Sequence, residues 1–294
     1  MKLSAIISTL GRDREVESVL ASLEAQSFRD FEVIIVDQNE DDRLAFVERE
    51  KYSFPIQRIR TPDRHGLSIG RNDGIRACQG DYVVFPDDDC WYPYDFFERA
   101  VDTLEELDLD GLTGRAADEN GNSINGRFEV SAQFITRKNV WTTQIEWVAF
   151  FRRQLLNDLG GYDPRVGVGA DSAWQACEGQ ELALRAIQAK AKLYYDPSLF
   201  GHHESLDSPR PDKALVQKAR KYARGHGRVL RMHKYSILDI GFWVSRPSLK
   251  AAFYAASLRF RLAIHALNTA VGRLEGYFDP APRTLHTQLP KQSK

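Results

Sequence analysis

The first ninety residues alternate short apolar runs with stretches of helical periodicity, and two of those runs end on carboxylates. Residues 3–8 read as a buried strand followed by the turn Thr9-Leu10-Gly11-Arg12. Val16, Val19, Leu20 and Leu23 recur at helical spacing, which places a helix over residues 13–26. Residues 31–37 form a second strand ending on Asp37, after which Glu40-Asp41-Asp42 lead into a helix reaching about residue 50. A third strand covers 56–60. The next helix starts at Gly66-Leu67-Ser68, with Ser68 as its N-cap and Gly80 closing it. Residues 81–85 make a fourth strand, which runs out into Asp87-Asp88-Asp89. Strands alternating with helices predict an α/β fold with a mostly parallel, Rossmann-like sheet flanked by helices. Ligands of such sheets collect beyond the carboxyl ends of the strands, where Asp37 and Asp87 to Asp89 lie.

Downstream the pattern is mixed. Residues 114–126, rich in Gly, Asn and Asp, read as a loop, 147–151 as a strand, 181–190 as a helix and 192–195 as a last strand. Ser208-Pro209-Arg210-Pro211 breaks the chain, and two helical stretches follow, over 213–232 and 247–277. The net charge of −1 conceals an asymmetry: from Asp212 onward there are 16 Lys and Arg against 4 Asp and Glu. The expected organisation is a catalytic domain over 1–211, split near 115, and a basic amphipathic helical segment over 212–294. Three cysteines, Cys78, Cys90 and Cys177, with no CxxC, indicate neither a disulfide framework nor a cysteine zinc site. The N-terminus enters a strand without a signal-peptide apolar region, and no apolar run approaches the roughly 18 residues of a membrane span. A cytoplasmic location is the expectation.

Three carboxylates directly after a buried strand repel one another, and a hard cation relieves that repulsion. Mg²⁺ or Mn²⁺ typically takes one or two carboxylates together with substrate phosphates. The alternative is a solvated acidic turn. Arg71, early in the helix that follows Gly66, is placed for a phosphate contact near a helix N-terminus or is a surface arginine beside a tight turn. The glycines around it do not make a Walker A loop.

The order Ile7-Ser8-Thr9-Leu10, Val36-Asp37, Arg71-Asn72-x-Gly74 and Asp87-Asp88-Asp89 resembles glycosyltransferase family 2 over about residues 3–205. The resemblance implies a GT-A fold and inverting transfer from a nucleotide diphosphate sugar, with a UDP-sugar favoured. It assigns Thr9, Leu10 and Arg12 to the nucleotide cradle, Asp37 and Asp42 to the base side, and Arg71, Asp87 and Asp88 to the donor. It assigns the metal to Asp89 and Asp87, with a histidine from Gly201-His202-His203; His203 fits the spacing slightly better than His202. The general base is usually the aspartate of an acidic-Asp-x-acidic-Leu pattern at a later helix start. Here Glu178-Gly179-Gln180-Glu181-Leu182 carries Gly179 at that place. Glu178 is then the substitute base, with Glu181 orienting the site. Trp174 and Trp147 are either acceptor-stacking faces or core side chains.

The basic segment, over 213–275, interleaves Lys and Arg with Tyr, Phe, Trp and Leu, a composition that suits an anionic bilayer surface. It equally suits packing against an acidic domain. The implied partners are a nucleotide-sugar donor, a saccharide or lipid-linked acceptor in surface polysaccharide assembly, and the inner face of a cytoplasmic membrane. No nucleic acid is expected, because no recognised module accompanies the charge. The competing classes are a nucleotidyltransferase of related fold and a non-catalytic nucleotide-sugar-binding scaffold.

Overall fold

The computed structural model describes residues 1–204 and 210–279. The chain divides into two compact units, Met1–Pro211 and Asp212–Lys294. Ser208 and Pro209, read above as a break, and the basic segment beyond Asp279 lie outside the described residues.

In the first unit β1 (Leu3–Thr9) and β2 (Phe31–Asp37) are buried along their whole length. Mostly apolar sequences suit parallel strands covered on both faces, and the buried polar exceptions pair, the Ser4 hydroxyl donating to Glu32 at 2.6 Å. Between them α1 (Arg14–Glu24) buries Val16, Val19, Leu20 and Leu23. Then follow α2 (Phe46–Arg49), β3 (Ile56–Arg60), α3 (Leu67–Ala77), β4 (Tyr82–Val84) and α4 (Phe96–Glu106). The later elements are β5 (Gly111–Ala117), β6 (Gln133–Phe134), α5 (Val140–Thr143), a 3-10 turn (Glu146–Val148), β7 (Phe150–Arg152), α6 (Arg153–Leu159), α7 (Glu178–Gln188) and β8 (Leu193–His202). The eight strands of the described residues form one sheet in the order β3-β2-β1-β4-β7-β5-β8-β6. Strands β7 and β6 run against their neighbours, and the others are parallel.

The glycines of the Arg71-Asn72-x-Gly74 turn have a packing reason. A Cβ on Gly70 would strike the Ser8 hydroxyl, and one on Gly74 would strike the Ile6 side chain. Spaced i, i+4, both lie on one helix face, so α3 can press its backbone onto β1. Gly66, at φ 116°, holds the N-cap position. Ser68 is therefore not the cap; it sits inside the helix and its hydroxyl donates to the Val166 carbonyl at 2.6 Å. The helix also stops at Ala77, before Gly80, which is a close-approach glycine against the Leu3–Ser4 backbone.

Three further expectations change. The start of the glycine-rich 114–126 stretch is strand, because Gly114 lets β5 lie directly against Leu199 of β8. The strand expected at 147–151 is a 3-10 turn followed by β7. Helix α7 begins at Glu178, so Glu178 and Gly179 belong to its first turn.

The second unit is helical: α8 (Lys213–Met232), α9 (Ile237–Ala256) and α10 (Phe260–Phe278). The expected single helix over 247–277 is two, because Leu258 turns into the left-handed region at φ 58°. Ser236 and Asp239 form a capping box that starts α9. Glu275 of α10 accepts from Arg220 and from Arg224 of α8, the latter at 2.6 Å. Gly276 admits the Arg224 backbone at the same place.

Candidate active site

Parallel strands put their carboxyl ends on one edge, so Thr9 of β1, Asp37 of β2 and the Asp87 to Asp89 run after β4 share that edge. The antiparallel β7 contributes its beginning there, which brings the 3-10 turn carrying Glu146 to the same edge. The helix α7, which returns the chain to the parallel β8, brings its N-terminus with Glu178.

At the centre lies Arg71, 1% exposed. Its guanidinium donates to Asp87 Oδ1 at 3.0 Å and stands 3.9 Å from Glu178 Oε1. The rings of Tyr162 and Phe85 flank it, with centroids at 5.3 and 5.8 Å. Arg71 is therefore not open to a phosphate in this conformation. It acts as a buried counter-charge beneath the carboxylates, and its Nη1 donates to no acceptor among the described residues. Burial pushes the Asp87 carboxyl up to about 7, against the pull of Arg71 and with the help of Glu146, Asp88 and Asp89. Burial, then the charge of Glu146, likewise holds Glu178 well above the usual carboxylate range.

The neighbouring aspartates face other partners. Asp88 Oδ2 accepts from the Thr9 hydroxyl at 2.6 Å. Asp89 accepts from Arg12 at 2.9 Å and faces His203 Nε2 at 3.1 Å. That hydrogen bond lowers the Asp89 carboxyl and raises His203 to about 9. His202, one residue earlier on the alternating strand, turns the other way, onto the Asp118 carbonyl at 2.9 Å and against Trp91. Of the two histidines only His203 reaches the acidic run.

Asp37 is fully buried, with one oxygen on the backbone and side chain of Asn39 and the other on Arg58. Asn39 in turn accepts from the Gly11 N–H at 2.6 Å. Asp37 thus sets the β1–α1 turn, while Leu10 in that turn is half exposed and Asp42 pairs with Arg58 at 2.8 Å. Glu181 is buried in a two-pronged pair with Arg185, which also donates to the Leu159 and Gly161 carbonyls. Glu181 therefore positions α7 and the end of α6. Trp147 and Trp174 are 5% and 2% exposed. They pack in the interior, so neither offers an open face to a sugar.

Among the described residues no three His, Cys, Asp or Glu side chains converge closely enough to ligate an ion. Two do: Asp89 Oδ1 and His203 Nε2 are separated by 3.1 Å. That is the spacing of adjacent ligands each at ~2.1 Å from one octahedral ion. A two-ligand site completed by phosphates and water fits Mg²⁺ or Mn²⁺. Asp87, spent on Arg71, lies beside this pair rather than in it.

Sequence reasoning missed Glu146. It influences Asp87, Arg71, Tyr162 and Glu178 alike. Its carboxylate accepts from the Gly179 N–H at 2.6 Å. The available signal was Gly179 itself, a glycine in the first turn of a helix with no turn to make.

A sheet with six co-directional strands and an acidic run at their carboxyl edge is an α/β architecture of GT-A type. The model for glycosyl transferase family 2 matches residues 4–160. An uncharacterized glycosyltransferase of Haemophilus influenzae is 29% identical over 239 residues, which span 76% of each chain. A crystal structure of S. aureus TarS 1-349 in complex with UDP-GlcNAc superposes with a TM-score of 0.58 at 17% identity, covering 95% of this chain and 93% of that one. A mannosyltransferase from Pyrobaculum calidifontis, in complex with GDP-Man and Mn²⁺, superposes with a TM-score of 0.60 at 18% identity, covering 96% and 76%. The chain belongs to glycosyl transferase family 2 and is a glycosyltransferase.

Proposed function

We propose that this enzyme transfers a sugar, with inversion, from a nucleotide diphosphate sugar to a hydroxyl of a saccharide or lipid-linked saccharide, in surface polysaccharide assembly. The observation that carries the reading is the gathering of Asp87, Asp88, Asp89 and His203 at one sheet edge, across the buried Arg71 from the start of α7. That two solved structures of this fold contain UDP-GlcNAc and GDP-Man supports a nucleotide-sugar donor, with uridine favoured.

Each side chain then has a task. Thr9, Leu10 and Arg12 form the turn that receives the nucleotide, held in shape by Asp37 through Asn39. Arg12 is the accessible cation for the diphosphate, whereas Arg71 acts through Asp87, whose position it fixes. Asp89 and His203 would hold Mg²⁺ or Mn²⁺, which when bound neutralises charge developing on the leaving diphosphate. The acceptor proton goes to the carboxylates at the first turn of α7, of which Glu178 is the member singled out by sequence. A base must come within about 2.6–3.2 Å of that proton.

In the second unit Leu238, Leu249, Phe253 and Phe260 are exposed beside Arg246, Lys250, Arg259 and Arg261. No helix among the described residues is long and apolar enough to cross a membrane. Exposed aromatic and basic side chains on amphipathic helices support peripheral attachment to an anionic surface, on the inner face of a cytoplasmic membrane. Flotation with anionic liposomes at low salt tests this, and failure to co-float removes it.

The donor reading is tested by calorimetry of UDP, GDP and dTDP, each with and without Mn²⁺, on wild type and Asp89→Ala. Mn²⁺-dependent binding of one nucleotide, lost in the variant, is expected. Folded wild type that binds none of them would sink the reading.

A further inference from the structure

Two carboxylates meet at the start of α7, Glu178 in its first turn and Glu146 reaching the Gly179 N–H from the 3-10 turn, and they differ in access. Glu178 is 5% exposed and enclosed by Arg71, Ser68 and the Gly167 turn; a Cβ added to Gly167 would come within 3.0 Å of its carboxyl carbon. Glu146 is only half-buried. Glu146 is thus the more exposed of the two residues, and an acceptor hydroxyl arriving from solvent meets less protein on the way to it than to Glu178.

Gly179 makes this arrangement possible. A Cβ at that residue would lie 2.5 Å from Glu146 Oε1 and 2.6 Å from its carboxyl carbon. A side chain at residue 179 and the Glu146 carboxylate therefore cannot share this space. The carboxylate of Glu146 thus lies in the space that a side chain at residue 179 would enter, delivered from the 3-10 turn ahead of β7. It is fixed there by the Gly179 N–H at 2.6 Å. Gln180 secures the same segment by donating to the Gln144 carbonyl at 3.0 Å. A helix N-terminus favours a carboxylate in this place.

We infer that Glu146 is the catalytic carboxylate that receives the proton of the acceptor hydroxyl, and that Glu178 is a positioning residue behind it. This rests on the transfer reading above. In the step, the O–H bond breaks and the proton passes to Glu146. The oxygen then bonds to the anomeric carbon, and the sugar–phosphate C–O bond breaks with its electron pair leaving on the nucleoside diphosphate. Water can take the place of the acceptor, so donor hydrolysis reports the same proton transfer.

The test measures nucleotide release from UDP-GlcNAc and GDP-mannose, with Mn²⁺ and water as acceptor, alongside calorimetric nucleotide binding. Glu146→Gln is expected to lower kcat by about 10²–10⁴-fold, the range of general-base catalysis, with nucleotide affinity and melting temperature unchanged. Glu146→Asp should recover part of the rate. Gly179→Ala, which displaces the Glu146 carboxylate, should also lose turnover. The paired change Glu146→Ala with Gly179→Asp, which sends a carboxylate from residue 179 into the vacated space, should regain at least tenfold over Glu146→Ala alone. Glu146→Gln turning over within a few-fold of wild type would overturn the assignment while leaving the transfer reading intact. Wild type that neither binds nor hydrolyses any donor would overturn both.

Discussion

The two halves of the catalytic unit build their sites differently. In residues 1–115 the hydroxyl and carboxylates of the edge sit at the ends of parallel strands: Thr9 closing β1, Asp37 closing β2, Asp87 to Asp89 after β4. The carboxyl ends of parallel strands share an edge, so strand position alone predicts proximity. In residues 116–211 the contributions come from a 3-10 turn, a helix start and the residue just past a long strand: Glu146, Glu178 and His203. Nothing local in the chain announces that these meet. The first half presents a cradle of fixed geometry, and the second half supplies groups whose role depends on what they are packed against.

The comparison breaks first at Asp89, the residue where the halves touch through His203. Asp89→Ala should reduce turnover by about 10²–10³-fold, as loss of a group stabilising transition-state charge does, with little change in melting temperature. Equal turnover in the variant would detach the acidic run from the chemistry.

Next is Arg71, the buried cation shared between Asp87 of one half and Glu178 of the other. Removing one partner of a buried pair costs about 3–5 kcal/mol. Arg71→Ala should therefore lose stability of that order in urea denaturation, with Asp87 half-buried placing it near the lower end. A loss below about 1 kcal/mol, typical of an exposed pair, would show that Arg71 faces solvent.

A smaller effect is expected within the first half. Gly74→Ala drives a methyl into Ile6, and overpacking of this kind costs about 1–3 kcal/mol. Pairing it with Ile6→Val should recover part of the loss. Absence of recovery would mean that α3 lies farther from β1 than described.

The smallest effect belongs to the helical unit, where charges pair at the surface instead of around a buried guanidinium. Hydrogen bonding from Arg220, then Arg224, lowers the Glu275 carboxyl to about 2 from its ordinary 4.5. A depressed carboxyl contributes stability that is complete above about pH 4.5 and is lost as pH falls toward 2. Glu275→Gln should flatten the stability of the helical unit across that window, and an unchanged acid limb would remove the pair from it.

Much of the fold was legible because its signals are local. The largely apolar stretches of β1 and β2 and the spacing of Val16, Val19, Leu20 and Leu23 each report a buried face without reference to distant residues. Elements with weaker local signals were misplaced: Ser68 has a cap's chemistry but donates to Val166, and the Gly114 stretch looks like a loop yet is strand. The acidic run after β4 was legible for the same reason as the strands, since its repulsion is written into three consecutive letters.

What the sequence by itself determined is the acidic residue set at the carboxyl edge of the sheet and the family pattern that contains it. The tertiary structure alone decided which of those residues face one another. It placed Arg71 under Asp87 instead of on the surface, sent His203 to Asp89 and His202 away, and put Trp147 and Trp174 in the interior. It also brought Glu146 into the space that Gly179 leaves open. The physical reason is that burial and electrostatic pairing depend on distance in space, and 33 residues of chain separate Glu146 from the backbone N–H it occupies.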